Sequence, residues 1–227
     1  QQLCLLLNQM GAKISGIGTN ILKIQGVENL GGVDSIKVIP DRIEAGTFLI
    51  AVAATGGRVR LNNVEPKHME SVTSLLKQSN IDIEIEKDSI LVTSTGSDMK
   101  ACNMETNEYP GFPTDLQAQW MLLMSLSIGD STIKENIYFD RFTHILELNR
   151  LGCDVRLHKD HAVIKGDRSL IGADVMSTDI RASAALIIAA LCAEGLTSIS
   201  RVYHIDRGYD RIEEKLVKVG AKITRKK

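Results

Sequence analysis

Three stretches of this chain read as helices that are apolar almost all round: "PDRIEAGTFLIAVAATGG" (40–57), "PTDLQAQWMLLMSLSIGD" (113–130) and "TDIRASAALIIAALCAEG" (178–195). A surface helix shows one apolar stripe, whereas a helix apolar on every side has to be buried on every side. None of them reaches the roughly eighteen uninterrupted apolar residues that span a bilayer. The three must therefore bury one another inside a shell made by the rest of the chain. Aromatic residues make up only 4% of the sequence, so Leu, Ile, Val, Ala and Met must fill that interior. Ala184, Leu186, Ile188, Leu122 and Phe48 are the positions expected to be almost fully buried.

The shell is legible as a repeat. An amphipathic helix closing near glycine or a polar substitute, followed by a short strand, occurs four times: "LLLNQMGAKI" (5–14), "LLKQSNIDIEI" (75–85), "LELNRLGCDVRL" (146–157) and "KLVKVGAKITR" (215–225). Gly11, Gly152 and Gly220, with Asn80 as the usual substitute, suit the left-handed residue that ends a helix. "SILVTS", "STIKEN" and "HAVIKG" supply further strands. The pattern predicts an α/β fold of repeated βαβαββ units, sheets outward and apolar helices inward, with three such units after a leading fragment of a fourth.

Composition excludes several classes. The formal net charge of −1 provides no field that would gather nucleic acid or anionic lipid. Cys4, Cys102, Cys153 and Cys192 lie far apart with no metal-binding spacing, a usage that fits a reducing cytoplasm. Cys102, in a polar stretch, is the least secure of the four as a structural thiol. "LCLLL" near the start is too short for a signal-peptide core and lacks preceding basic residues. "GIG" at 16–18 is not a dinucleotide fingerprint. A chain that begins at Gln1 fits a piece of something longer.

Asp41, Asp115 and Asp179 occupy equivalent positions at the openings of the three apolar helices. Helix capping explains such placement: Asp41 with Glu44 and Thr114 with Gln117 match the capping box, and an acidic first turn gains about 0.3–1 kcal/mol from the helix dipole. At Asp115 and Asp179 the surroundings add something. "YPGFPTD" is stiffened by two prolines, and in "STDIRAS" the positive charge of Arg181 opposes the helix dipole, so that it calls for a partner elsewhere. "YFDRFTH" and "YHIDRGYDR" place Arg141 and Arg207 in loops. Arginine presents a planar fork of donors suited to carboxylate and phosphate, so loop-borne arginines beside these aspartates point to a site for an anionic substrate.

Together "PDRIEAGTFLIAVAATGG", "PGFPTDLQAQ", "DRFTHILELNRLG", "TDIRASAALIIAA" and "YHIDRGYDRIEEKLVKVGA" resemble the enolpyruvyl transferases of the EPSP synthase family, in particular the branch acting on UDP-N-acetylglucosamine at the start of peptidoglycan synthesis. The resemblance implies an EPSP synthase-like fold of inside-out α/β barrels. Residues 1–37 would be the tail of one such domain and 38–227 a three-repeat barrel. It also implies transfer of the enolpyruvyl group from phosphoenolpyruvate to the sugar 3-hydroxyl through a tetrahedral intermediate, with phosphate leaving and with no cofactor or metal. Asp115 would sit against the reacting hydroxyl as its base, with Asp179 and Arg181 as an active-site pair. Arg207 would bind the anionic groups of phosphoenolpyruvate, while Ile137 and Arg141 would touch the sugar nucleotide. A helix N-terminus lowers a carboxylate's pKa, so Asp115 would orient the hydroxyl first and accept its proton late. The family's other anion-binding groups and its reactive loop would precede Gln1, making this chain an incomplete, inactive portion whose partner is the missing N-terminal half. A non-catalytic remnant of the fold, the shikimate-directed sister enzyme and RNA 3′-phosphate cyclase are the alternatives; the balanced charge speaks against the last.

Overall fold

In the computed structural model, which describes residues 1–226, the first forty residues form one unit and the chain from Asp41 onward forms another. The first holds helix α1 (Gln2–Gln9) and strands β1 (Lys13–Ser15) and β2 (Lys23–Gln25), paired antiparallel with Ile14 opposite Ile24. The Asn8 amide brackets the backbone of Ile14, accepting from its N–H and donating to its C=O, both at 2.8 Å.

The larger unit repeats one pattern with different degrees of completeness. Its first repeat contains α2 (Arg42–Thr55), β3 (Gly57–Asn62), α3 (Glu70–Gln78), β4 (Asp82–Ile85) and β5 (Ser89–Ser94), in an antiparallel sheet ordered β3-β5-β4. The second contains β6 (Met104–Glu105), α4 (Gln117–Leu126), β7 (Ser131–Lys134), α5 (Ile145–Arg150), β8 (Asp154–His158) and β9 (His161–Lys165). Its sheet runs β6-β7-β9-β8, with β6 parallel to β7 and the other pairs antiparallel. That is a full βαβαββ unit. The third contains β10 (Asp174–Met176), α6 (Ile180–Cys192), β11 (Ser198–Ser200) and α7 (Ile212–Lys218), with β10 parallel to β11.

Residues 221–225, expected as a strand after α7, form none. A strand is held by a hydrogen-bonded neighbour, and no closing hairpin follows α7 among the described residues. The sheets stay separate rather than joining into one continuous wall. The repeat is nevertheless kept in detail: Asn149 brackets Val155 in the way Asn8 brackets Ile14, at 3.0 Å each way. The four helix-closing residues, Gly11, Asn80, Gly152 and Gly220, all have positive φ, between 67° and 105°.

The apolar helices lie inside. α2, α4 and α6 pack on one another, and every residue of α4 but Leu126 is buried. Leu122, Ala184 and Leu186 are fully shielded and Ile188 nearly so. Phe48 is the exception among the residues expected inside. It is only partly buried, because it faces an open groove that it lines with Val52, Leu191 and Leu216. Trp120, the single tryptophan, is fully buried in α4 with its ring edge-on to Phe112 at 5.5 Å. No helix among the described residues is long and apolar enough to cross a membrane.

Candidate active site

The three helix openings do not do the same job. Asp41 caps α2, its carboxylate accepting from the N–H groups of Ile43 (2.7 Å) and Glu44 (3.3 Å). Asp179 caps α6 in the same way, accepting from Arg181 (2.7 Å) and Ala182 (3.0 Å). Asp115 caps nothing. It lies inside a tight 3-10 turn, Thr114–Leu116, that precedes α4. The expected Thr114–Gln117 capping box is not formed: Thr114 Oγ1 donates to Glu135 Oε2 (2.9 Å), and Gln117 Nε2 donates to the carbonyl of Arg141 (3.1 Å). Leu116 wedges against α2 at Gly46, where a Cβ would come within 2.3 Å of Leu116 Cδ1. Glycine alone allows that approach. The chain thus enters α4 later than a capped helix would, leaving the Asp115 carboxylate to side-chain partners.

Those partners are two arginines from different repeats. Arg141, on the loop after β7, donates from Nη1 to Asp115 Oδ1 at 2.5 Å, and Arg181, in the first turn of α6, donates from Nη2 to Oδ2 at 2.7 Å. Charge-assisted bonds of this kind are about twice as strong as neutral ones. The contact also supplies Arg181 with the negative partner that its place at a helix N-terminus requires. Burial pushes the Asp115 carboxyl upward, but the Arg141 hydrogen bond and the charge and hydrogen bond of Arg181 outweigh it, so its pKa lies below the ordinary carboxylate value. The carboxylate is 31% exposed, enough to meet a ligand while ionised.

Asp179 is a half-buried neighbour of this cluster rather than part of the ion-paired group. Burial raises its pKa, while the N–H groups of Ala182 and Arg181 and the nearby charges of His144 and Arg141 bring it below the ordinary value. Ile137 lies at the surface, 36% exposed, its N–H donating to Glu135. Arg207 ends an exposed 3-10 turn and has no ion-pair partner among the described residues. The next residue, Gly208, packs on Ile180 near the Arg181 guanidinium. The structure therefore joins Asp115, Arg141 and Arg181, sets Asp179 beside them, and leaves Ile137 and Arg207 exposed at the surface.

Several participants escape sequence reasoning. Tyr209 is buried with its hydroxyl 2.8 Å from Thr47 Oγ1 and the Arg181 guanidinium beside it, and Gln119 donates to the same Thr47 oxygen at 3.2 Å. A polar thread thus runs from the Asp115 cluster between α2, α4 and α6. His144 is also buried; desolvation pulls its pKa down to about 4 against the opposing charge of Asp179, leaving it neutral near pH 7. In the sequence each of these reads as an ordinary helix or loop polar residue. The thiols of Cys102, Cys153 and Cys192 are all pushed up by burial, the last two to about 11 and about 12, which makes them poor nucleophiles.

Comparison with known proteins adds a consistent set of likenesses. The sequence model of a family described as EPSP synthase (3-phosphoshikimate 1-carboxyvinyltransferase) matches residues 1–216. A UDP-N-acetylglucosamine 1-carboxyvinyltransferase of Myxococcus xanthus is 49% identical over the whole chain, which covers 54% of that relative. One of the same description from Bartonella henselae is 51% identical over 96% of the chain, covering 51% of it. The chain spans about half the length of these curated relatives. Among solved structures, the enolpyruvyl transferase NikO from Streptomyces tendae superposes over 98% of this chain and 53% of its own, with a TM-score of 0.89 at 26% identity. EPSP synthase from Acinetobacter baumannii, at 19% identity over 97% of this chain and 54% of its own, shares the fold with a TM-score of 0.74.

Proposed function

The chain belongs to the EPSP synthase family, and on that premise we propose that it supplies one wall of the active site of a UDP-N-acetylglucosamine 1-carboxyvinyltransferase. The observation that carries this reading is Asp115, which does not cap its helix as Asp41 and Asp179 do, and instead lies ionised between two arginines from separate repeats. The names of relatives near 50% identity support the choice of acceptor.

In the proposed reaction the sugar 3-hydroxyl oxygen forms a bond to C2 of phosphoenolpyruvate while a proton adds at C3. The resulting tetrahedral intermediate then breaks its C–O bond to phosphate and loses a proton from C3, regenerating the double bond. Asp115 orients the hydroxyl through its ionised oxygens and accepts the hydroxyl proton late, because the arginines that hold it make it a weak base. Arg181 and Arg207 offer forks to the donor's carboxylate and phosphate. Asp179 orders the start of α6 and thereby aims Arg181, and Ile137 and Arg141 meet the sugar nucleotide.

On this reading residues 1–37 are the end of one enolpyruvyl transferase domain, and 38–227 make a three-repeat inside-out barrel. The protein works in the cytoplasm, where nucleotide sugars are made, and needs its N-terminal half to close around the donor. The test is phosphate release from phosphoenolpyruvate with UDP-N-acetylglucosamine, set against shikimate 3-phosphate as acceptor. In the full-length polypeptide assayed well below its unfolding temperature, Asp115→Asn lowers turnover by roughly 10²–10⁴-fold, the usual worth of a general base. A loss of rate that tracked a loss of folding would defeat the assignment, and turnover with shikimate 3-phosphate alone would move the chain to the sister activity.

A further inference from the structure

Glu135, the residue after β7, is fully buried and has no ion-pair partner among the described residues. A carboxylate taken out of water costs several kcal/mol unless its oxygens are well satisfied. Here four donors converge on it. Oε1 accepts from Thr106 Oγ1 (2.6 Å), Ile137 N (2.9 Å) and Tyr138 N (3.0 Å), and Oε2 accepts from Thr114 Oγ1 (2.9 Å). Two of these bonds end on either side of the reactive pair. Thr114 is the residue before Asp115, and Tyr138 carries the ring over which the Arg141 guanidinium lies, 5.2 Å from its centroid. One buried carboxylate thus grips both the turn that holds Asp115 and the loop that holds Arg141.

We propose that Glu135 is a positioning residue for the transferase reaction, fixing the Asp115 carboxylate against Arg141 in the orientation that meets the sugar hydroxyl. The assignment rests on the activity proposed above. The carboxylate meets all four donors as a charged acceptor, and hydrogen bonds to a charged group are about twice as strong as neutral ones. Glu135→Gln removes that charge and its N–H₂ forces the Thr114 hydroxyl to turn from donor to acceptor, so the clamp weakens while volume is nearly conserved. Thr114→Val removes a single bond and leaves the Glu135 charge in place.

Both variants are made in the full-length polypeptide and assayed well below their unfolding temperatures. A reacting group misplaced by about 1 Å costs on the order of 10²-fold in rate. We expect kcat to fall toward that extent in Glu135→Gln and less in Thr114→Val, with the KM for phosphoenolpyruvate nearly unchanged. A merely structural role would lower the melting temperature without this split. A second readout does not depend on turnover: the titration of the Asp115 carboxyl followed by ¹³C NMR, assigned by its absence in Asp115→Asn. The charged groups bonded to that carboxylate are Arg141 on the loop and Arg181 on α6, so loosening the Asp115 turn from them in Thr114→Val raises the Asp115 pKa. Wild-type kcat in folded Glu135→Gln overturns the proposal, as does an unchanged Asp115 titration in Thr114→Val. If Glu135→Gln does not fold, Thr114→Val decides alone. A wild-type protein without transferase activity would refute the proposed function, and the Asp115 titration would still decide whether the clamp positions it.

Discussion

At the scale of single residues, the site is an argument between desolvation and charge, and charge prevails. Asp115 and Asp179 both lose hydration yet keep pKa values below the ordinary 3.8. A carboxylate with a folded-state pKa below its unfolded value stabilises the fold above the unfolded value, and that contribution disappears as pH falls through the folded one. Acid unfolding below about pH 4 should therefore be steeper in the wild-type chain than in Asp115→Asn, read by circular dichroism against pH. An identical acid limb in the two proteins would mean that Arg141 and Arg181 do not hold Asp115 in solution. Arg181→Lys keeps the charge but loses the planar fork; donor binding should weaken, seen as a raised KM for phosphoenolpyruvate in the full-length polypeptide. Asp115, Arg141 and Arg181 were legible as candidates because their residue types clash with their local setting: an arginine at a helix N-terminus asks for an anion. Glu135 and Tyr209 were not, because a glutamate after a strand and a tyrosine before a helix are unremarkable until the fold buries them.

At the scale of elements, the apolar helices were the readable part and their ends were not. All-round apolarity is a property of composition and survives small errors of boundary, so the burial of α2, α4 and α6 follows from it. The start of α4 depends instead on Leu116 meeting Gly46 from another repeat, a contact that no local pattern records. The difference is measurable. Asp41→Ala and Asp179→Ala each remove a cap and should cost about 0.5–2 kcal/mol. Asparagine caps as well as aspartate, so Asp41→Asn should keep its urea midpoint at neutral pH, whereas Asp115→Asn loses its pairing with Arg141 and Arg181; an unchanged midpoint in Asp115→Asn would show that Asp115 caps after all. Leu186→Ala, in the center of α6, should cost about 2–5 kcal/mol. A loss below 1 kcal/mol would contradict the buried position of that helix.

At the scale of the whole molecule, the repeat organises where chemistry can sit. Asp115 and Arg141 come from the complete second repeat and Arg181 from the third, so the cluster lies at a junction that exists only when repeats pack together. Residues 1–227 alone should release no phosphate from phosphoenolpyruvate, and adding the remaining half of the family's length in trans should restore measurable turnover. Activity of the isolated chain would mean that one side suffices. The architecture also carries redundancy. Three copies of one helix-opening carboxylate are more than the interior needs, since the loss of one cap is about 1 kcal/mol in a fold that keeps two. The middle copy can be reassigned from scaffolding to reactivity while its siblings preserve the frame, so duplication gives this fold a place where new chemistry can be tried at little risk of unfolding.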